Sequence, residues 1–203
     1  MRRGIIILSF FCVVAIAQPV FAAKATAVIK GTAEASTISG EATFMEANGG
    51  LDVEVTVSGA TPGKHGFHIH ENGACGDAGK AAGGHYNPDT MMHGLVMKDG
   101  FEHAHAGDFG NIEVGANGVG ALQFSIPGLA LTGEKHNVAG KAVILHEKED
   151  DFGQPTGNAG GRIGCGIITV VEEKANDAMV KPDSLNVGST TTVPNEPAKE
   201  ISK

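Results

Sequence analysis

The stretch LDVEVTVSG, residues 51–59, alternates apolar and polar side chains. Because successive side chains of a strand point to opposite faces, this period of two predicts a strand with one buried face. Similar runs recur along the chain, namely ISGEATFMEA (38–47), GNIEV (110–114), VGALQFSI (119–126), AGKAVILHE (139–147) and RIGCGIITVV (162–171). With 30 glycines in 203 residues and few stretches of helical period, the sequence predicts an antiparallel β-sandwich or barrel.

Two segments are much longer than the turns between the other runs. Residues 71–107 hold four of the nine histidines, and residues 147–161 form the second segment. Loops of this length inside a folded domain usually carry function or are disordered. We therefore expect two long functional loops on an all-β framework.

The two ends of the chain differ from this framework. Residues 1–22 have the layout of a secretory signal peptide: Arg2 and Arg3 precede an apolar run (5–17), and VFA (20–22) is a small-residue cleavage site. The alternative is an uncleaved membrane anchor, but the run is shorter than the about 20 residues that a spanning helix needs. Residues 172–203 are polar and aperiodic, which predicts a flexible tail. The folded domain is expected at residues 23–171.

The composition excludes one class of partner. The formal net charge is −8, and it becomes −10 without residues 1–22, which carry two arginines and no acid. An acidic chain of this kind is not expected to bind nucleic acid. Removal of residues 1–22 also leaves two cysteines, Cys75 and Cys165, which suggest one disulfide in an exported protein.

The segment HGFHIHENG, residues 65–73, raises the question of a metal site. His68 and His70 are two residues apart, so on a strand their imidazoles project from the same face. Taken alone, HxH is better explained by a pair of surface histidines than by a metal site. Further candidate ligands follow at loop ends and strand ends, namely His85, His93, His105, Asp108 and His146. Six histidines and one aspartate suffice for two ions, and an imidazole-rich set favours copper and zinc over calcium or magnesium.

Five blocks in this order, HGFHIHENG, GGHYNP, HAGDFGNI, VILHE and GNAGGRIGCG, resemble the signature of the copper/zinc superoxide dismutase family, in its exported, bacterial type. The resemblance covers residues 25–171. It implies an eight-stranded antiparallel Greek-key β-sandwich or barrel with two long functional loops. It also implies an enzyme that converts superoxide to dioxygen and hydrogen peroxide at a copper centre bridged to zinc through a histidine, in antioxidant defence outside the cytosol.

The resemblance also assigns roles to residues. Copper would be held by His68, His70, His85 and His146, and zinc by His85, His93, His105 and Asp108. His85 would bridge the ions and act in catalysis together with Arg162. Asp150 would orient His68 and His93, with Asp151 as the alternative, and Cys75 would pair with Cys165. The other histidines fall outside the ligand positions: His65 and His136 are interpreted as structural residues and His103 as a loop residue, although EHAHAGD offers both His103 and His105 as candidates.

The family resemblance also bears on binding partners and cellular location. The resemblance implies superoxide as substrate, a possible homodimer, no stable insertion into a membrane, and a periplasmic or extracellular location. Residues 150–162 contain no lysine. We therefore expect anion guidance to rest on Arg162, Lys148 and charges from other loops, whereas in many relatives this loop supplies positive charge. The rival interpretation is a module that stores or delivers copper or zinc without turnover; a purely structural β-sandwich would leave the histidines unexplained.

Overall fold

The structure is a computed structural model that describes residues 22–171. The expected tail and all but the last residue of the expected signal peptide lie outside the described residues. The strands within this part are β1 (Lys24–Gly31), β2 (Ser39–Ala47), β3 (Gly50–Ser58), β4 (Gly63–His70), β5 (Asp108–Val114), β6 (Val119–Pro127), β7 (Ala142–His146), β8 (Arg162–Ile167) and β9 (Thr169–Val171). A 3₁₀ helix, Lys80–Ala82, and a one-turn helix α1, Val96–Asp99, lie between β4 and β5.

The first eight strands close into an antiparallel barrel. Their order around it is β1, β2, β3, β6, β5, β4, β7 and β8, and β8 pairs with β1. The pairing of β3 with β6 and of β4 with β7 joins strands that are distant in sequence, as expected for a Greek key. The predicted all-β, eight-stranded antiparallel fold is therefore confirmed, with β9 as an additional short strand on β1.

The alternation of residues 51–59 becomes the buried face of β3. Val53, Val55 and Val57 are at most 1% exposed, whereas Glu54 and Thr56 between them face solvent. The core is continued by aromatic side chains from other strands, including Phe44, Phe67 and Phe109. Burial of such side chains stabilises a fold by about 1.5–3 kcal/mol each, so this face determines how the strand sits in the barrel.

Two strands differ from the sequence prediction. β1 was not among the predicted strands, because its inward residues Ala25 and Ala27 are small and alanine is depleted in strands. The run RIGCGIITVV was predicted as one strand but is divided at Ile168. The buried Ile168 exchanges backbone hydrogen bonds with residues 140 and 141, so β8 pairs mainly with β7 while β9 pairs with β1.

The two long loops lie against the outer face of the β4–β7 pair. The first loop, residues 71–107, is joined to β4 by a hydrogen bond from the Tyr86 N–H to the Ile69 carbonyl. The second loop, residues 147–161, is joined to β4 by a bond from the Gly66 N–H to the Lys148 carbonyl. Because the core covers one face of β4 and the loops cover the other, every residue from His65 to His70 is buried. This arrangement places His68 and His70 beneath the loops.

Among residues 22–171, no helix has both the length and the apolar character that a membrane crossing requires.

Candidate metal centre

The candidate ligands from β4, β7, β5 and the first loop meet in two adjoining groups. In each group the potential ligand atoms lie within 4.8 Å of one another, and every member is buried. The first group is His68, His70, His85 and His146, and the second is His85, His93, His105 and Asp108. His85 belongs to both. The structure thus brings together all seven side chains that the sequence selected as ligands.

The first group consists of four imidazoles whose orientations are fixed from outside the group. His70 Nδ1 lies 3.0 Å from the Gly83 carbonyl, and His146 Nδ1 lies 3.4 Å from the Gly160 carbonyl. Their Nε2 atoms therefore face inward, 3.4 Å apart. The ring of His68 lies 4.2 Å from that of His85, measured between centroids. Four ring nitrogens directed to one point form a nitrogen site of the kind that copper favours.

The second group surrounds a carboxylate. Asp108 Oδ1 lies 2.8 Å from His85 Nδ1 and 3.0 Å from His105 Nδ1, and Asp108 Oδ2 lies 2.9 Å from His93 Nδ1. The backbone N–H groups of Gly94 and His105 donate to Oδ2 and fix the carboxylate. Three imidazoles and one carboxylate in a closed, buried set match the ligands and the number that zinc takes in proteins.

Asp150 connects the two groups from behind. Its Oδ2 lies 2.8 Å from His68 Nε2, and its Oδ1 lies 2.9 Å from His93 Nε2. Each histidine is thereby held through the nitrogen that faces away from its group, the usual arrangement for a carboxylate that orients metal ligands. The neighbouring Asp151 is exposed, and its carboxylate accepts hydrogen bonds from Gly153 and Asn158 of the local turn. Of the two alternatives, Asp150 makes the contacts expected of an orienting residue.

Gly157 leaves the space in which Asp150 contacts His93. Gly157 has a φ of +76°, in the left-handed region, and a Cβ placed there would overlap Asp150 Oδ1 and lie 2.7 Å from His93 Nε2. A side chain at this position would displace the aspartate from the histidine. The GNAGG block therefore contributes by leaving space as well as by forming a turn.

The electrostatics of the two groups suit metal binding. Burial lowers the pKa of three imidazoles, to about 2 for His70, about 3 for His146 and about 4 for His85, so these rings are neutral at neutral pH. Burial also lowers the pKa of His93, but the carboxylates of Asp108 and Asp150 outweigh it and raise the pKa to about 9. The two carboxylates thus favour a positive charge at His93, which either a proton or a metal ion supplies.

Two buried nitrogen atoms test directly whether the two groups of side chains suit metal ions. His68 Nδ1 and His93 Nδ1 are buried and make no hydrogen bond within residues 22–171, although His93 Nδ1 lies 2.9 Å from Asp108 Oδ2. A buried nitrogen without a hydrogen bond destabilises a fold unless another partner satisfies it. One of these atoms belongs to each group, and both rings are held by Asp150 through Nε2. The residues present therefore fit one copper and one zinc ion.

Arg162 lies beside the first group. It is the cross-strand neighbour of His146, and its guanidinium donates to the carbonyls of Gly79, at 2.8 Å, and Gly83, at 2.6 Å. The Gly83 carbonyl is also the partner of His70 Nδ1. Arg162 and His70 are therefore held by the same carbonyl group, with the guanidinium only partly buried. This arrangement leaves a permanent positive charge next to the four imidazoles.

The disulfide expected from the sequence is present and joins Cys75 to Cys165. Cys75 lies in the first loop, four residues before Gly79, and Cys165 lies in β8, three residues after Arg162. The bond therefore links the loop segment that holds the guanidinium to the strand that carries it.

The three remaining histidines lie outside both groups. His65 is buried, with its ring nitrogens 2.8 Å from the carbonyls of His146 and Thr61. His136 contacts the carboxylate of Asp89 and stacks on Phe101, with 3.8 Å between the ring centroids. His103 is exposed, whereas His105 lies in the second group.

One contact to a candidate ligand had no counterpart in the sequence analysis. The side chain of Gln154 bonds to the backbone of His93, across a separation of 61 residues. A lone glutamine in a loop of turn-forming residues carries no sequence signal for such a contact.

Comparisons with known proteins agree with this geometry. The family model described as copper/zinc superoxide dismutase (SODC) matches residues 38–168. Extracellular superoxide dismutase (Cu-Zn) of Caenorhabditis elegans is 41% identical over 138 residues, which are 64% of this chain and 61% of that protein. The proteins of the same name from Haemonchus contortus and Drosophila melanogaster are 44% and 40% identical, over 57% and 66% of this chain and 65% and 76% of theirs. The chain thus spans less than two thirds of the first two relatives.

A solved structure shares the fold. The crystal structure of the clock protein EA4 superposes with a TM-score of 0.66 and 33% sequence identity, covering 77% of this chain and 100% of that one. The family model covers more than half of the chain, and the barrel gathers six histidines and an aspartate into two groups that share His85. The chain belongs to the copper/zinc superoxide dismutase family.

Proposed function

We propose that the protein converts superoxide to dioxygen and hydrogen peroxide, as an antioxidant enzyme outside the cytosol. The observation that carries this proposal is the complete pair of buried ligand groups sharing His85, with Arg162 beside the first of them. A module that only stored metal would have no need of an arginine held next to four imidazoles. Membership of the family supports the same activity.

The ligand sets follow from the two groups. His68, His70, His85 and His146 would hold copper, and His85, His93, His105 and Asp108 would hold zinc. His85, as a member of both groups, would contribute to both ions, and its Nδ1 lies 2.8 Å from Asp108 Oδ1 of the second group. Copper, when bound, supplies one-electron chemistry, in which one superoxide is oxidised to dioxygen and another is reduced and takes up two protons to give hydrogen peroxide.

The side chains contribute binding, orientation and proton transfer. Arg162 attracts and orients the superoxide anion, because its guanidinium remains charged and is fixed by the Gly79 and Gly83 carbonyls. His85 can take up a proton at Nε2 and pass it to the reduced product, since Asp108 fixes the ring through the Nδ1 side. Asp150 keeps His68 and His93 in the orientation that ligation requires.

Substitution of Arg162 tests its part in binding the anion. We expect Arg162→Ala to keep both metals and to lower the second-order rate constant with superoxide about ten- to hundredfold, since a charge-assisted hydrogen bond contributes about 1.5–3 kcal/mol. Arg162→Lys keeps the charge but loses the planar pair of donors, so its rate constant should lie between those of Arg162→Ala and the wild type. The rate is measured by pulse radiolysis and the metal content by mass spectrometry. An unchanged rate in Arg162→Ala would remove this residue from the mechanism.

The activity itself is tested with the purified protein in two forms, one loaded with copper and zinc and one with zinc alone. A superoxide pulse should decay rapidly with the first form and at the buffer rate with the second. If the copper-loaded form does not accelerate the decay, the protein binds metal for storage or delivery and the proposal is wrong.

The location and the assembly state are proposals as well. The three relatives are named as extracellular proteins, and together with the signal-peptide layout of residues 1–22 this supports export, either to a periplasm or to the exterior. A homodimer is supported by the exposed apolar side chains of Val28 and Ile167, which are 60% and 41% exposed and line one open surface groove. Sedimentation velocity would distinguish the dimer from a monomer.

A further inference from the structure

Gln154 of the second loop holds the backbone of His93 at both of its polar groups. The Gln154 Oε1 atom accepts a hydrogen bond of 3.0 Å from the His93 N–H, and its Nε2 donates one of 2.8 Å to the His93 carbonyl. A side-chain amide paired in this way replaces the two bonds that a neighbouring strand would make. His93 itself lies in an irregular part of the first loop, where no strand partner is available.

Gln154 completes a set of contacts that one short segment makes with His93. Asp150 binds the Nε2 atom of the ring at 2.9 Å, and the ring of Phe152 lies nearly parallel to it, with an interplanar angle of 20° and 6.3 Å between centroids. Asp150 and Phe152 thus act on the imidazole, whereas Gln154 acts on the backbone that carries it. Within residues 150–154, Gln154 provides the contact that fixes where the His93 Cα lies relative to the second loop.

From these contacts we infer that Gln154 is a positioning residue for the zinc ligand His93 and slows the loss of zinc from its site. The inference rests on the proposed zinc site and assigns to it a residue outside the ligand set. A ligand that must leave the ion before zinc can escape does so less often when its backbone is fixed, because less of the loop is free to move. Removal of ligand-orienting partners commonly weakens metal binding 10- to 100-fold.

The chain offers two useful comparisons for the experiment. Asn87 makes the same pair of bonds with the backbone of Met91, at 2.9 Å each, in the same loop, but Met91 is not a candidate ligand. Gln123 is an exposed glutamine on β6, and within the described part of the chain its side chain bonds to Glu54 alone. Gln123→Met therefore controls for the substitution itself, and Asn87→Leu controls for the loss of an amide pair from the first loop.

The experiment measures zinc release from the copper- and zinc-loaded protein into a chromophoric chelator, for the wild type, Gln154→Met and the two controls. We expect release from Gln154→Met to be about tenfold faster, at the lower end of the range for orienting residues, with copper retention unchanged. Gln154→Glu can still accept a hydrogen bond from the His93 N–H, so its rate of zinc release should lie between those of Gln154→Met and the wild type. Replacement of zinc by cobalt gives a second readout, because the visible spectrum of cobalt changes with ligand geometry; it should shift in Gln154→Met and in neither control.

The outcomes separate this inference from the function on which it rests. Wild-type release rates and cobalt spectra in Gln154→Met would overturn the inference and leave the zinc site intact. Equal acceleration of copper and zinc release, together with a lower unfolding midpoint of the metal-free protein, would also overturn it, since Gln154 would then only stabilise the fold. A wild-type protein that binds no zinc would overturn both.

Discussion

His146→Ala is expected to remove copper from the protein while zinc remains bound. His146 belongs only to the first ligand group, and its Nε2 lies 3.4 Å from that of His70. The second group contains neither residue and keeps all four of its members. Because loss of an orienting partner alone weakens metal binding 10- to 100-fold, loss of a ligand should lower copper affinity by more than about a hundredfold. Superoxide decay should fall to the rate of the copper-free protein.

Copper and zinc contents after dialysis against a weak chelator measure this effect. His103→Ala is the matched control, because His103 is exposed and lies in the first loop outside both groups. His146→Asn, which keeps a polar side chain, should behave like His146→Ala and would show that the loss of copper does not follow from misfolding. Full copper occupancy in either His146 variant would refute the assignment of His146 as a ligand.

Removal of the disulfide is expected to have the largest effect on stability. Cys75 and Cys165 are 90 residues apart in sequence, so the bond closes a long loop in the unfolded chain. Loss of a native disulfide of this kind costs about 2–5 kcal/mol of the free energy of unfolding. The double variant Cys75→Ser/Cys165→Ser should therefore unfold at a lower denaturant concentration. Freed from β8, the segment around Gly79 should also hold Arg162 less firmly, and the rate with superoxide should fall.

Urea unfolding of the metal-free protein measures the first part of this prediction, so that metal binding does not mask the difference. The wild type treated with a reductant provides the comparison without any substitution and should match the double variant. An unfolding midpoint equal to that of the oxidised wild type would show that the bond contributes nothing to stability.

The fold could be predicted wherever one strand face is buried and the other is exposed. The alternation in β3 is clear for this reason, since Val53 and Val55 face the core while Glu54 faces solvent. β1 could not be predicted, because its buried alanines give only a weak indication of a strand. The division at Ile168 could not be predicted either, because it depends on backbone hydrogen bonds to residues 140 and 141, which are remote in sequence. Strand partners are a tertiary property, and periodicity reports only local exposure.

The candidate site could be predicted to the extent that its residue types are chemically distinctive. Six histidines and one aspartate at strand and loop ends were recognisable as the seven ligand candidates. The HAH and DD pairs, however, each left two possibilities in the residue pattern. The structure separates them by burial, since His105 and Asp150 face the ligand groups while His103 and Asp151 face solvent. Gln154 could not be found in this way, because its role depends on a backbone contact between two loops.

A crystal structure of the copper- and zinc-loaded protein, with anomalous data collected at both metal edges, tests the two-ion site most directly. The account predicts one copper peak among His68, His70, His85 and His146 and one zinc peak among His85, His93, His105 and Asp108, with the His85 ring between them. A single ion, or two ions that do not share His85, would contradict it.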